Sequence, residues 1–339
     1  MRRKRKAPLL LESGLIGSLL FGLLFWPAPA WAQSSRTTFS GQATVVRANV
    51  LGVSTVVSDT GPLPPSGGAL EASLLSASVP GLLTAEVAHA STIGQGDRSR
   101  SEASVANLNL TVGGNSVTSD FLMATATAIC GPNGASASGS SEIVGLVVNG
   151  QSTVVTGEPN QTVSLPNGRI VINEQTSSGP GDITVNALHI VVNGIADVVI
   201  SSAHADVTCK GQSKCEGGDF VTGGGWITGT PSGAKGNFGV AGGIKNGSLW
   251  GHLTYIDHGS GGPKVKGTGV TAYAVVDTTT RHIEGTAEIN GQGGFTYQVD
   301  VADNGEPGRN DTFVLRLSNG YVASGNLQGG NIQLHKPCQ

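Results

Sequence analysis

The sequence predicts an all-β protein made of two antiparallel β-sandwich or β-roll domains in tandem. The first observation is composition: the chain has 52 glycines and only 13% charged residues, and the helix formers Glu, Lys, Met and Gln are scarce. The second is the alternation of apolar and polar residues along many short segments, which is typical of strands with one buried face. The third is the frequency of glycine-bearing turns between those segments.

The first 32 residues have the pattern of a secretory signal peptide. Residues 2–6 read RRKRK, an apolar segment runs from Leu15 to Trp26, and Ala30 and Ala32 form an A-x-A cleavage site. The apolar segment is too short for a membrane anchor. We therefore expect cleavage after Ala32 and secretion to the extracellular space, with the periplasm or the cell surface as alternatives.

The charge of the mature chain excludes some partners. Removal of residues 1–32 leaves 15 basic and 22 acidic side chains, a net charge of −7. That sign, without a cluster of Lys or Arg, argues against nucleic acid and anionic membranes. No later segment is apolar enough to span a bilayer, and the printed chain ends at Gln339 without a hydrophobic tail, so we expect soluble export.

Aromatic residues divide the mature chain. Ten lie from Phe220 onward, whereas only Phe39 and Phe121 lie between residues 33 and 219. The change coincides with the polar segment CKGQSKCEGGD, residues 209–219. We predict two domains, residues 33–210 and residues 211–339.

The first domain carries a weak internal repeat that bears on its cysteines. Two copies of an apolar strand and turn are followed by MATATAIC and SAHADVTC, which end in Cys130 and Cys209, 16 and 15 residues after the turn glycine. Related strands that pair side by side would bring these two cysteines together, so we predict a Cys130–Cys209 disulfide. We predict a second disulfide between Cys215 and Cys338, which bracket the second domain.

Turn and loop signals complete the first domain. Asn149-Gly150 and Asn193-Gly194 predict tight hairpins. The Pro- and Gly-rich residues 59–68 and the polar residues 91–102, STIGQGDRSRSE, are interpreted as loops.

The second domain alternates throughout and predicts seven to nine strands. In DTFVLRLSNG, for example, Phe313, Leu315 and Leu317 share one face. In VTGGGWITG, residues 221–229, the glycines remove side chains from both faces of a strand, which predicts a sharp bend or an aromatic ring, such as that of Trp250, lying on the backbone. Ligand stacking by Trp226 is the alternative.

These segments carry a family resemblance. CEGGDFVTGGGWI, GNFGV, DNGEPGRNDTFVLRLSNG and GGNIQLHK resemble the C-terminal domain that follows choice-of-anchor P domains, and MATATAICG with ADVTC is similar to the choice-of-anchor P domain itself. The resemblance covers nearly the whole mature chain. It implies bacterial export and often a C-terminal surface anchor, and it implies no established reaction.

No catalytic constellation is evident. There is no G-x-S-x-G elbow before a helix. Glu284 and Glu288 share a face but lie about 13 Å apart along a strand, and a cross-strand pair with Asp300 stays open. His252 and His258 are too far apart along a strand to bind one zinc ion, and we interpret them as exposed strand-end residues.

The segment DVADNGEPGRND is the candidate metal site. Asp303, Glu306 and Asp311 lie among glycines, as calcium ligands do. The alternative is an acidic strand connection that needs no ion, with Arg309 relieving the repulsion. We expect no other cofactor.

From these observations we expect a secreted, non-enzymatic structural, surface or interaction protein, whose partners would be extracellular matrix or polysaccharide. The alternatives are a secreted polysaccharide-active hydrolase and a carbohydrate-binding module. A carbohydrate-binding module would need exposed coplanar aromatic rings from among Trp226, Trp250, Tyr255, Tyr273 and Tyr321.

Overall fold

The computed structural model describes residues 37–210, which we call the N-terminal region, and residues 217–336, the C-terminal region. Within these ranges the chain forms 22 strands and no helix, which confirms the all-β prediction. Their contacts group them into one compact unit. The predicted signal peptide with Ala32, and the predicted Cys215–Cys338 disulfide, lie outside the described residues.

The strands of the N-terminal region are β1 Thr38–Val50, β2 Val53–Asp59, β3 Gly68–Val79, β4 Leu83–Gln95, β5 Arg98–Val112, β6 Asn115–Gly131, β7 Gly134–Val144, β8 Val147–Val148, β9 Gln151–Ser152, β10 Gln161–Leu165, β11 Gly168–Thr176, β12 Asp182–Val192 and β13 Ala196–Thr208. The strands of the C-terminal region are β14 Phe220–Ile227, β15 Gly236–Lys245, β16 Ser248–Asp257, β17 Lys264–Val275, β18 Thr280–Ile289, β19 Gln292–Ala302, β20 Thr312–Leu317, β21 Val322–Asn326 and β22 Gly329–His335.

These strands form three antiparallel sheets. Sheet A has the order β10-β11-β12-β13-β1-β2, and sheet B has the order β3-β4-β5-β6-β8-β9 with β7 also paired to β6. Sheet C has the order β21-β20-β19-β18-β17-β16-β15-β14-β22. The predicted hairpins at Asn149-Gly150 and Asn193-Gly194 connect β8 to β9 and β12 to β13. Asn149 and Gly150 both have positive φ, as a tight hairpin requires.

Sheets A and B pack face to face over an aliphatic and alanine-rich core. The two repeat copies are the hairpins β5–β6 and β12–β13, and they lie in different sheets. The predicted Cys130–Cys209 disulfide joins the end of β6 to the residue that follows β13, with Cα atoms 5.6 Å apart. The pairing was therefore right, but the related strands oppose each other across the core instead of pairing side by side.

Sheet C curls around a second core, to which each of its nine strands contributes buried apolar side chains. Phe313, Leu315 and Leu317 are buried there, as their alternation predicts. The hydroxyls of Tyr255 in β16 and of Tyr321, just before β21, lie 2.7 Å apart, and the Tyr321 hydroxyl donates to Asp257. Whether the two regions are independent domains stays a prediction.

Candidate functional site

Sheets B and C meet through a buried face that is mainly polar. The side chains on the outer side of sheet C oppose one face of β3, β4 and β5. Ser73 Oγ lies 3.4 Å from Thr254 Oγ1, and the Gln95 amide donates to the carbonyls of Gly218 and His335 at 3.0 Å each. We call this the shared polar face, and its main residues are Glu71, Ser73, His89, Gln95, Glu102, Ser104, Thr222, Gly224, Gly239, His252, Thr254 and His335.

This face lies partly in the segment that the sequence indicated as a loop, and that prediction was wrong. Residues 91–95 belong to β4 and residues 98–102 to β5. Their polarity is typical of loops, but the strands lie in the middle layer of the molecule and have a sheet on each side. On the side of these strands that faces sheet A, serine and threonine side chains form hydrogen bonds. Thr92 Oγ1 of β4, for example, lies 2.7 Å from Ser101 Oγ of β5.

Four ionisable side chains form a chain across the shared polar face. His252 Nδ1 lies 2.6 Å from Glu71 Oε2, and His252 Nε2 lies 3.1 Å from His89 Nδ1. On its other side, His89 Nε2 lies 3.8 Å from Glu102 Oε1. His89 is fully buried and Glu102 nearly so, whereas Glu71 is partly exposed.

Burial controls the charges in this chain. It lowers the pKa of His89 well below the usual value, and the neighbouring His252 adds to the effect. Burial also raises the pKa of Glu102 to about 8, although Arg100 opposes it. Burial disfavours ionisation of Glu71 as well, but the neighbouring His252 and Lys245 together outweigh burial, and the pKa of Glu71 is lowered.

Several polar atoms of this layer are buried without a hydrogen-bond partner among the described residues. They are His89 Nε2, His252 Nδ1, both carboxyl oxygens of Glu102, and Arg100 Nε. A buried polar group without a partner destabilises the fold by about 1–3 kcal/mol. The end of the chain at His89 and Glu102 is therefore the least satisfied part of the shared polar face.

Glycines allow the two sheets to approach. A Cβ on Gly224 would overlap Ser104 Oγ, and one on Gly239 would lie 2.9 Å from His89 Cβ. Gly223 faces Ile332 on the opposite side of β14. The glycine run therefore permits sheet-on-sheet contact, which its sequence did not reveal.

The expected packing of aromatic rings on glycine occurs at other positions. The Phe220 ring lies on Gly243, and the Tyr297 ring lies on Gly285. Trp250 packs edge-on against Phe220, with ring centroids 5.5 Å apart.

The acidic loop between β19 and β20 also contacts the N-terminal region. Glu306 Oε1 accepts hydrogen bonds from Arg100 and Asn331, at 3.2 and 3.0 Å. Asp311 is buried, and its oxygens accept from the backbone amides of Asn304 and Ile332. Burial raises the pKa of Asp311 to about 6, although these backbone bonds oppose the shift.

The remaining charges of the loop also have partners. Asp303 accepts from the amides of Gly305 and Leu334, and Arg309 donates to Glu142 of β7 at 3.0 Å. Among the described residues, no group of three or more His, Cys, Asp or Glu side chains is placed to hold a metal ion. Calcium binding by Asp303, Glu306 and Asp311 stays a prediction.

Of the two histidines of β16 and its following loop, one differs from the prediction. His252 was expected to be exposed, but its side chain is only 10% exposed because sheet B covers that face of β16. His258 is exposed, as predicted, and its Nδ1 lies 3.6 Å from Glu86 Oε2 of the N-terminal region.

The carboxylates considered for hydrolysis lie on an open strand face. His282 lies between Glu284 and Asp300, with Nε2–Oε1 and Nδ1–Oδ1 distances of 3.1 and 2.6 Å. Arg316 donates to the second oxygen of Asp300 at 2.7 Å. The hydrogen bond that His282 donates to Asp300 raises the pKa of His282, against the effect of burial. This arrangement is a row of cross-strand ion pairs.

The surface offers an open depression of about 380 Å³ at the end of the N-terminal region, between the β1–β2 and β12–β13 turns. Its one carboxylate, that of Asp197, is paired with His189 at 3.1 Å. The lining residues are Asn49, Leu51, Gly52, Val191, Val192, Gly194, Ile195, Ala196 and Asp197.

The aromatic side chains considered for ligand stacking have partners within the chain. Tyr255 is fully buried, and Trp226, Trp250, Tyr273 and Tyr321 are half-buried. The Lys235 amine lies 4.9 Å from the centroid of Trp226.

Within residues 37–210 and 217–336 there is no helix with the length and apolar character that a bilayer crossing requires.

Comparison with known proteins adds little to this geometry. No protein-family model matches the chain, and no curated protein matches it. A crystal structure of an AttH candidate from Nitrosomonas europaea aligns over 88% of this chain and 92% of its own, with 6% identity and a TM-score of 0.19. A likeness at that TM-score carries no argument about fold or function.

Proposed function

We propose that the protein is an exported, non-enzymatic β protein with a structural or interaction role, and that its partners are extracellular matrix components or polysaccharides. The observation that carries the proposal is the placement of its acid–base side chains. The histidines and carboxylates that the fold brings together are either buried between sheets B and C or paired on an open strand face. Neither arrangement offers a cleft in which substrate would meet two free carboxyl groups.

Export is supported by two observations. The Cys130–Cys209 disulfide is of a kind that persists in oxidising compartments. The signal-peptide pattern and the resemblance to choice-of-anchor P proteins agree with it. Fractionation of expressing bacteria should recover the chain outside the cytoplasm with Gln33 as its first residue. Retention of residues 1–32 on a cytoplasmic protein would contradict export.

The hydrolase alternative can be tested directly. The purified protein is incubated with a panel of polysaccharides, and reducing ends are measured beside the Glu284→Gln/Asp300→Asn variant. We expect equal background release from both proteins, together with co-sedimentation on at least one insoluble polysaccharide or matrix protein. Release that the two substitutions abolish would establish a hydrolase. Binding lost on Trp226→Ala or Trp250→Ala would favour the carbohydrate-binding alternative.

A further inference from the structure

The contact between the two regions depends on groups that gain and lose protons. Each region has its own apolar core, and the shared polar face lies between them. Among the residues that the structure describes, two small apolar clusters flank the histidine pair at this face. One contains Ala69, Ile93 and Phe220, and the other contains Val87, Ala106 and Ile256.

The buried end of the chain leaves Glu102 without a hydrogen-bond partner among the described residues. Both of its carboxyl oxygens are buried and unpartnered. His89 Nε2, which is unpartnered as well, lies 3.8 Å from Glu102 Oε1, and that distance is too long for a hydrogen bond.

The state of Glu102 decides how much it costs to bury this carboxyl group between sheets B and C. An ionised carboxylate without a hydrogen-bond partner is strongly disfavoured in a buried layer, and a neutral carboxyl group is disfavoured much less. Protonation of Glu102 therefore favours the closed contact.

We propose that the shared polar face is a pH-sensitive contact between the two regions, closed while Glu102 is protonated and loosened when Glu102 loses its proton on the alkaline side. The device changes how tightly sheets B and C meet. Neither apolar core takes part in it.

Other charged groups do not reproduce this dependence near neutral pH. Glu71, with its lowered pKa, stays ionised. Burial raises the pKa of Asp311 only to about 6, so most of its titration lies below pH 7. Burial lowers the pKa of His335, as it does that of His89, so both act below about pH 6.5. The charged groups that face the chain are Glu71, Lys245, Arg98, Arg100, His252, Glu306, Asp311 and His335.

The sign and size of the effect follow from linkage. The pKa of Glu102 is about 8 in the closed state and lies above its value when exposed. The closed state is therefore favoured at low pH, and its ratio to the open state falls by up to tenfold per pH unit until about pH 8. His89 acts in the opposite sense, but only below about pH 6.5. Between pH 6.5 and 8 we expect a fall of about 16-fold.

Trp250 provides the measurement, because it packs on the cluster of Ala69, Ile93 and Phe220. In the full chain, replacement of Trp26, Trp31 and Trp226 by Phe leaves Trp250 as the one tryptophan. Its quenching by acrylamide is followed from pH 6.5 to 8.5, with far-ultraviolet dichroism as a check on the cores.

The test compares three substitutions in that background. Glu102→Gln keeps a neutral donor in place of the acid, and Glu102→Met removes titration if the first variant folds poorly. Glu142→Gln is the matched control, since Glu142 also crosses between the regions by pairing with Arg309. We expect quenching to rise with pH in the parent and in Glu142→Gln, and to stay constant in both Glu102 variants. A parent without a rise, or an equal rise in the Glu102 variants, would overturn the proposal.

Discussion

Among single residues, Gly224 shows how closely the two sheets approach. It lies in β14 opposite Gly239 of β15 and Asn331 of β22, and it faces Ser104 across the shared polar face. Its φ is not in the left-handed region, so the requirement for glycine is one of space and not of backbone conformation.

Gly224→Ala is therefore expected to destabilise the protein. The added methyl group overlaps Ser104 Oγ, and such overpacking typically costs about 1–3 kcal/mol. Urea unfolding measures the change. The second substitution Ser104→Gly should restore part of the loss, and Gly293→Ala, whose Cβ meets nothing within 4 Å, is the control. Equal stability of Gly224→Ala and the parent would mean that the sheets lie further apart.

A second residue-scale prediction concerns the buried Arg281. Its side chain is 1% exposed and forms two hydrogen bonds with Asp219, of 2.6 and 2.7 Å. Asp219→Ala would leave a buried charge without its partner, at a cost of about 3 kcal/mol. Lys264→Met removes the exposed pair with Glu86 and should cost less than about 1 kcal/mol. Comparable losses in the two variants, measured by urea unfolding, would contradict this account.

Among the structural elements, the loop between β19 and β20 has a role that its composition concealed. Its carboxylates accept from backbone amides and from Arg100, and its arginine pairs with Glu142. The loop thus joins the C-terminal region to sheet B. The sequence indicated calcium or a partner for Arg309 within the loop, because neither Arg100 nor Glu142 is close in the chain.

Since these carboxylates have partners, we expect calcium to have little effect on stability. Melting temperatures measured in chelator and in about 10 mM calcium should agree, since a weak extracellular site would have a Kd of about 10⁻⁴ to 10⁻³ M. A calcium-dependent rise that Asp303→Asn and Glu306→Gln remove would establish the predicted site. A rise that survives both substitutions would indicate a site elsewhere.

At the level of the whole molecule, two sheet systems with separate cores share a polar face. All nine strands of sheet C contribute to one core, and its hydrogen-bonded pairings lie within residues 220–335. A region that exposes a polar face when it is isolated should remain soluble.

We therefore expect residues 215–339, expressed alone in an oxidising compartment, to fold. Near-ultraviolet dichroism should report the packed rings of Phe238 and Phe313, whose centroids lie 4.0 Å apart. The full chain provides the reference spectrum. A fragment without that signal would show that the contact with sheet B is needed for folding.

The sequence alone determined the elements whose signals are local. The alternation of apolar and polar residues predicted β20, and Asn-Gly pairs predicted hairpins. The repeat predicted the Cys130–Cys209 disulfide. These features depend on residues within one strand or turn, or on the similarity of two hairpins.

Only the tertiary structure decided what covers each strand. β4 and β5 resemble a loop in composition, yet they are buried because sheets A and C lie on their two sides. The chain Glu71–His252–His89–Glu102 joins residues up to 181 positions apart, so no local pattern could reveal it. The cost of burying polar groups depends on the partners that the fold supplies, and long-range sheet packing supplies those partners.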